Sequence, residues 1–233
     1  MELRNQITAF AGVVAGVAPD VRVPMCPEWR MRDLVGHIGQ GPRWAADILR
    51  SGTPTPPPDP RDAEPGPPSG WTGWLLDGTD DLIDAVARAG ADTPVWTIVG
   101  TRPAGWWLRR MLADLVVHTA DAALTAGVPF DVPAARAADA ISEGLELLAT
   151  PGLATFPGDR EGDIALRPET GDDWLITRKT AGHTWRLGTA DADTTLSGST
   201  QDLLLVLMRR LPLHHVTVTG DVALVEELLT YTV

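Results

Sequence analysis

Lysine, tyrosine and cysteine each occur once in the 233 residues, as Lys179, Tyr231 and Cys26. A single cysteine excludes an internal disulfide and a four-thiolate zinc site, and such sparse usage fits a reducing, cytoplasmic compartment. Long apolar runs are missing too. No stretch approaches the roughly 18 consecutive apolar residues of a membrane span. The start, MELRNQITAF, lacks the basic segment and apolar core of a secretory signal. No membrane partner is expected. Basic residues are outnumbered 19 to 31, for a net charge of −12, and they form no stripe. Without a cation cluster to displace counterions, nucleic acid is excluded as a partner. A Gly-x-Ser-x-Gly elbow and the glycine-rich phosphate loops are also absent, so serine hydrolysis and nucleotide chemistry have no support.

What is present is a globular composition, 44% hydrophobic and 21% charged. Apolar spacing predicts helices over 2–17, 31–50, 71–89, 105–125 and 139–149. Gly127 and Pro129 stop the fourth of these. Gly36, Gly39, Gly41 and Pro42 interrupt the second, predicting a kink or the close approach of another backbone around 39–42. Residues 52–70 carry eight prolines and read as a solvated loop. Beyond about 155 the period changes. Segments 164–166, 174–176, 184–187 and 216–218 have strand composition, and helices are expected over 200–210, capped by Ser199 or Thr200, and from Asp221 to Leu229. The fold class is α+β: a helical bundle over 1–154 and a small α+β domain over 155–233.

The chemistry-bearing residues lie on two of the helices. Asp114, His118 and Asp121 fall at i, i+4 and i+7, on one helical face flanked by Leu and Val. Such a trio is costly to bury unless paired or bound to metal. The bland reading is an Asp114–His118 hydrogen bond at a half-exposed face. His37, in Asp33-Leu34-Val35-Gly36-His37-Ile38-Gly39, adds a second imidazole on a bundle helix. His37, Asp114 and His118 together supply two nitrogens and one oxygen and leave a position open, as in catalytic zinc sites. Cys26, with no basic neighbour, reads as a small buried residue. Trp29, Trp44, Trp71 and Trp74 read as core, as do Trp106 and Trp107 against the alternative of a substrate wall. His183 reads as exposed, and His214 and His215 as structural residues leading into a strand.

The run Cys26-Pro27-Glu28-Trp29, then Asp33-Leu34-Val35 and Gly36-His37-Ile38-Gly39, resembles the signature of the mycothiol-dependent maleylpyruvate isomerase-like family. A second signature, a carboxylate, three residues, a histidine and a later Asp-Ala, is matched by Asp114, His118 and Asp121-Ala122. The resemblance implies a DinB-like four-helix bundle followed by a small sterol-carrier-like domain, from Leu203–Val218 and Gly220-Asp221. It implies zinc, or another divalent metal, held by His37, Asp114 and His118. It implies mycothiol, the small thiol of actinobacteria, as cosubstrate. Arg210 matches the arginine of the C-terminal motif, which would hold an anionic substrate. Asp121 would orient His118 or substitute as ligand. The implied activity is addition of a metal-bound thiolate to a small electrophile, in an isomerase or an S-transferase. A non-catalytic binding protein and a thiol-independent zinc hydrolase are the alternatives. In one respect the chain departs from the pattern. The usual glutamate is Asp114, shorter by one carbon–carbon bond, about 1.5 Å. The site is expected to close up, recruit a water or bind metal more weakly.

Overall fold

The computed structural model describes residues 2–155, 158–180 and 182–231. Two compact units divide the chain, Met1–Phe130 and Asp131–Val233. The first contains helices α1 (Glu2–Val14), α2 (Met31–Ser51), α3 (Trp71–Ala89) and α4 (Trp106–Ala126). Both α1 and α2 pack on α3 and α4, giving a four-helix arrangement. Each helix turns an apolar stripe inward. Leu3, Ile7, Phe10 and Val14 of α1 meet Leu75, Leu82 and Val86 of α3, and Leu115 and Val116 of α4, in a dry core. Two hairpins that the sequence reading did not anticipate precede α2 and α4. Strand β1 (Arg22–Val23) pairs with β2 (Cys26–Arg30), and β3 (Pro94–Thr97) with β4 (Gly100–Pro103). Prolines 24, 27, 94 and 103 hid them, since proline is tolerated in strands only at edges and ends.

Strand β2 runs directly into α2. The Asp33 carboxylate accepts the Arg30 backbone N–H at 2.8 Å, satisfying one donor at the helix start. This junction fixes Cys26 and Trp29 relative to His37. Within α2 the chain passes Pro42 without leaving the helix, and the anomaly at 39–42 is a close approach. A Cβ on Gly39 would lie 1.9 Å from the Trp74 ring, and one on Gly78 would lie 2.8 Å from the Gly39 carbonyl. The Arg43 guanidinium lies 4.4 Å over the same indole and donates to the Gly39 and Trp74 carbonyls, both at 2.6 Å. The proline-rich loop is mostly exposed but sets Pro60 and Ala63 against Gly36.

The second unit is α+β. Strands β5 (Gly162–Pro168), β6 (Trp174–Lys179), β7 (Gly182–Leu187), β8 (Thr194–Gly198) and β9 (Thr217–Gly220) form a sheet in the order β7-β6-β5-β8-β9, with β5 and β8 parallel and the rest antiparallel. Residues 164–166 and 174–176 are buried consecutively, so both faces of the sheet centre are covered. Helices α5 (Ala134–Leu148), α6 (Thr200–Leu207) and α7 (Val222–Leu228) supply that cover. Ser199 and Asp221 cap the last two, each accepting an N–H of the first turn. Helix α6 stops short of Arg210 because Arg209 adopts a left-handed φ of 61°. The Arg209 side chain lies 4.2 Å over the Tyr231 ring and donates to its carbonyl, contacts that offset the unfavourable backbone.

Several expectations are corrected here. Helix α5 begins at Ala134 rather than 139, and it belongs with the sheet. Trp174 donates its indole N–H to Ser142 at 2.9 Å, and Gly144 makes room for Met208. The two compact units part at 130/131. His183 is buried, not exposed. His214 and His215 are exposed in a short 3-10 turn, their rings stacked at 4.7 Å. Among the described residues no helix is long and apolar enough to cross a membrane.

Candidate metal centre

Helix α4 places Asp114, His118 and Asp121 on one face, and α2 brings His37 to meet it. His37 Nε2 lies 2.9 Å from Asp114 Oδ2, His118 Nε2 lies 3.9 Å from Asp114 Oδ1, and the imidazole centroids are 4.8 Å apart, edge to face. One ligand atom from each of the three lies within 4.8 Å of the others. Zinc bonded to nitrogen and oxygen at its usual lengths separates tetrahedral ligand atoms by about 3.3 Å. The observed 2.9 Å is to one Asp114 oxygen and the 3.9 Å to the other, so each imidazole faces its own carboxylate oxygen within about 0.6 Å of that value. The shorter carboxylate thus reaches the histidines, and the donor set of two imidazoles and one carboxylate fits a divalent ion.

Electrostatics prepares the same atoms. Burial alone would push the Asp114 carboxyl up. The Arg110 guanidinium, 2.7 Å from Oδ1, and the two imidazoles outweigh it and hold the group well below the usual carboxylate range. Burial pushes His118 below the ordinary imidazole value despite the hydrogen bond to Asp121. A neutral His118 beside a carboxylate 2.8 Å from Nδ1 carries its proton on that nitrogen, so Nε2 presents a lone pair toward Asp114. Asp121 is fully buried, which suits an orienting partner. Trp29 lies over both rings, 5.0 Å from His37 and 5.8 Å from His118.

Residues 1–123 match the family described as the mycothiol maleylpyruvate isomerase N-terminal domain. The chain belongs to this family. The fold extends the likeness beyond the matched residues. The crystal structure of the mycothiol-dependent maleylpyruvate isomerase superposes with a TM-score of 0.67 at 16% identity, covering 94% of this chain and 91% of that one. A histidine-to-alanine mutant of that isomerase gives 0.63 at 13% identity, with the same coverage. No curated relative matches the chain.

Three residues at the site were misread or passed over. Cys26 is half-buried, with Sγ 3.8 Å from Asp121 Oδ2, where an inert core thiol was expected. Trp29, read as core, is half-exposed over the imidazoles. Both stand in the Cys-Pro-Glu-Trp run, which is the one sequence signal that could have placed them. Arg110 was legible as an i,i+4 partner of Asp114. Arg210 lies in the second unit, in the turn after α6, and donates to the Met208 carbonyl at 2.7 Å. Trp106 and Trp107 are buried, as core residues should be.

Proposed function

We propose that this protein is a cytoplasmic, metal- and mycothiol-dependent isomerase of a small anionic electrophile. His37, Asp114 and His118 hold a divalent ion, zinc by the character of the donors, and Arg210 holds the anion. The observation that carries the reading is the second hydrogen bond of His118. With Nδ1 committed to Asp121 at 2.8 Å, the ring can offer only Nε2, on the side where His37 and Asp114 converge. An ion in such a site, when bound, removes the proton of a coordinating thiol and orients its sulfur.

The chain's own groups do the rest. Asp121 fixes the His118 tautomer. Arg110 keeps Asp114 ionised and fixes one of its oxygens, leaving Oδ2 beside His37. Trp29 packs against both rings. Addition of the thiol to a conjugated double bond turns that bond single, rotation follows, and elimination returns the thiol with the isomer. Release of the adduct instead would make the protein an S-transferase. The test is turnover of maleylpyruvate by the zinc-loaded protein with and without mycothiol. The reading expects isomer only when the thiol is present, with the thiol recovered. Cleavage products formed without thiol would replace it by metal-assisted hydrolysis, and isomer formed without thiol would remove mycothiol from the reading.

A further inference from the structure

Asp121 and His118 belong to a second group of donors that the proposed reaction uses only for orientation. Asp121 Oδ2 lies 2.8 Å from His118 Nδ1 and 3.8 Å from Cys26 Sγ, and one ligand atom from each residue falls within 4.8 Å of the other two. We propose that Cys26, His118 and Asp121 form a second cation site, selective for thiophilic divalent ions such as cadmium. Its occupation excludes the His37–Asp114–His118 set, because both draw on one imidazole. The proposal goes beyond the isomerase reading and shares only His118 with it.

Geometry, charge and access support it. Metal–sulfur bonds of about 2.3 Å and metal–nitrogen or metal–oxygen bonds near 2.1 Å separate tetrahedral donors by roughly 3.3 to 3.6 Å. The observed nitrogen–oxygen distance of 2.8 Å is about 0.6 Å short of its expected value, and the sulfur–oxygen distance of 3.8 Å is about 0.2 Å beyond its own. A thiolate and a carboxylate together neutralise a divalent ion, which matters where His118 and Asp121 are buried. The His37 set has one carboxylate and leaves a net positive charge. A sulfur donor favours soft ions over magnesium or manganese. Cys26 is the half-exposed member, so an ion enters from the sulfur side. A nucleophilic thiol–imidazole pair is a poorer reading, since the sulfur approaches the carboxylate rather than the open Nε2 edge.

The protons balance. The ion takes the Cys26 sulfur and His118 Nδ1. The thiol proton goes to solvent and the ring proton moves to Nε2, which faces Asp114 Oδ1 at 3.9 Å. One proton is released per ion, and Nε2, now protonated, can no longer serve the first set.

Cadmium titration of the metal-free, full-length protein tests this, read by the ultraviolet charge-transfer band of a cadmium–thiolate bond. Cys26 is the only cysteine, so the band reports on it alone. The expected result is a band saturating at one equivalent with one proton released, lost in Cys26→Ser and in Asp121→Asn, and retained in His37→Ala. Circular dichroism confirms that each variant is folded. Absence of the band in the wild type would overturn the proposal, as would its loss in His37→Ala, which would mean that the sulfur serves the first set. If the wild type shows the band while the Cys26→Ser protein takes up no zinc, this site stands and the isomerase reading is removed.

Discussion

At the scale of single residues, the site works through the division of labour between two ring nitrogens and between two carboxylate oxygens. His118 commits Nδ1 to Asp121, and Asp114 commits Oδ1 to Arg110. Removing the orienting carboxylate in Asp121→Asn should weaken metal binding by about 10- to 100-fold, as measured by competition with a chelating dye. Unchanged affinity would mean that Asp121 orients nothing. Replacing Asp114 by the glutamate of the family pattern should keep a full complement of metal. Loss of metal would show that α2 and α4 have closed up around the shorter side chain. The residues most legible in the sequence were those with a periodicity to betray them: Asp114, His118 and Asp121 share a helical face, and His37 sits in an apolar run. Cys26 and Trp29 lie in a short, proline-bearing strand, where no period exists and only the register of a hairpin decides which way a side chain faces.

Among the elements, α2 carries the most constraint, because it must bring His37 to α4 while pressing on α3. Ala at position 39 would drive a methyl group into the Trp74 ring. Overpacking of that kind costs about 1–3 kcal/mol. Gly39→Ala should therefore lower the urea midpoint, and a midpoint equal to wild type would contradict the close approach. The glycines announced an irregularity without saying which kind, since a kink and a close contact leave the same mark in sequence. In the sheet, burial, opposed in part by a hydrogen bond with the Leu145 backbone, holds His183 below the ordinary imidazole value. A group depressed in the folded state contributes stability above its unfolded value, near 6.5, and loses it as pH falls. His183→Gln should flatten the loss of stability between pH 7 and 5, measured by denaturant unfolding at each pH. An unaltered slope would place the acid sensitivity elsewhere. The sequence reading missed this burial because a glycine-flanked histidine at a strand start resembles a turn residue. It becomes core only when β7 pairs with β6 and α5 packs beside it.

For the molecule as a whole, helices then strands made the α+β class readable. Helix α5 has the amphipathic pattern of a bundle helix, yet its apolar face serves Trp174 and Met208. Periodicity shows that a face is buried and leaves open against what. In the proposed account Arg210 holds the anionic substrate. Arg210→Ala should raise the KM for an anionic substrate and leave metal content unchanged, and identical kinetics would remove Arg210 from the account. The central claim is that His37, Asp114 and His118 hold a catalytic ion, and elemental analysis of the zinc-loaded Cys26→Ser protein, beside the same protein with His37→Ala added, tests it most directly. One zinc per chain in the Cys26→Ser protein, lost when His37→Ala is added, is the predicted result. Zinc absent from both, or retained in full by the double variant, would contradict it.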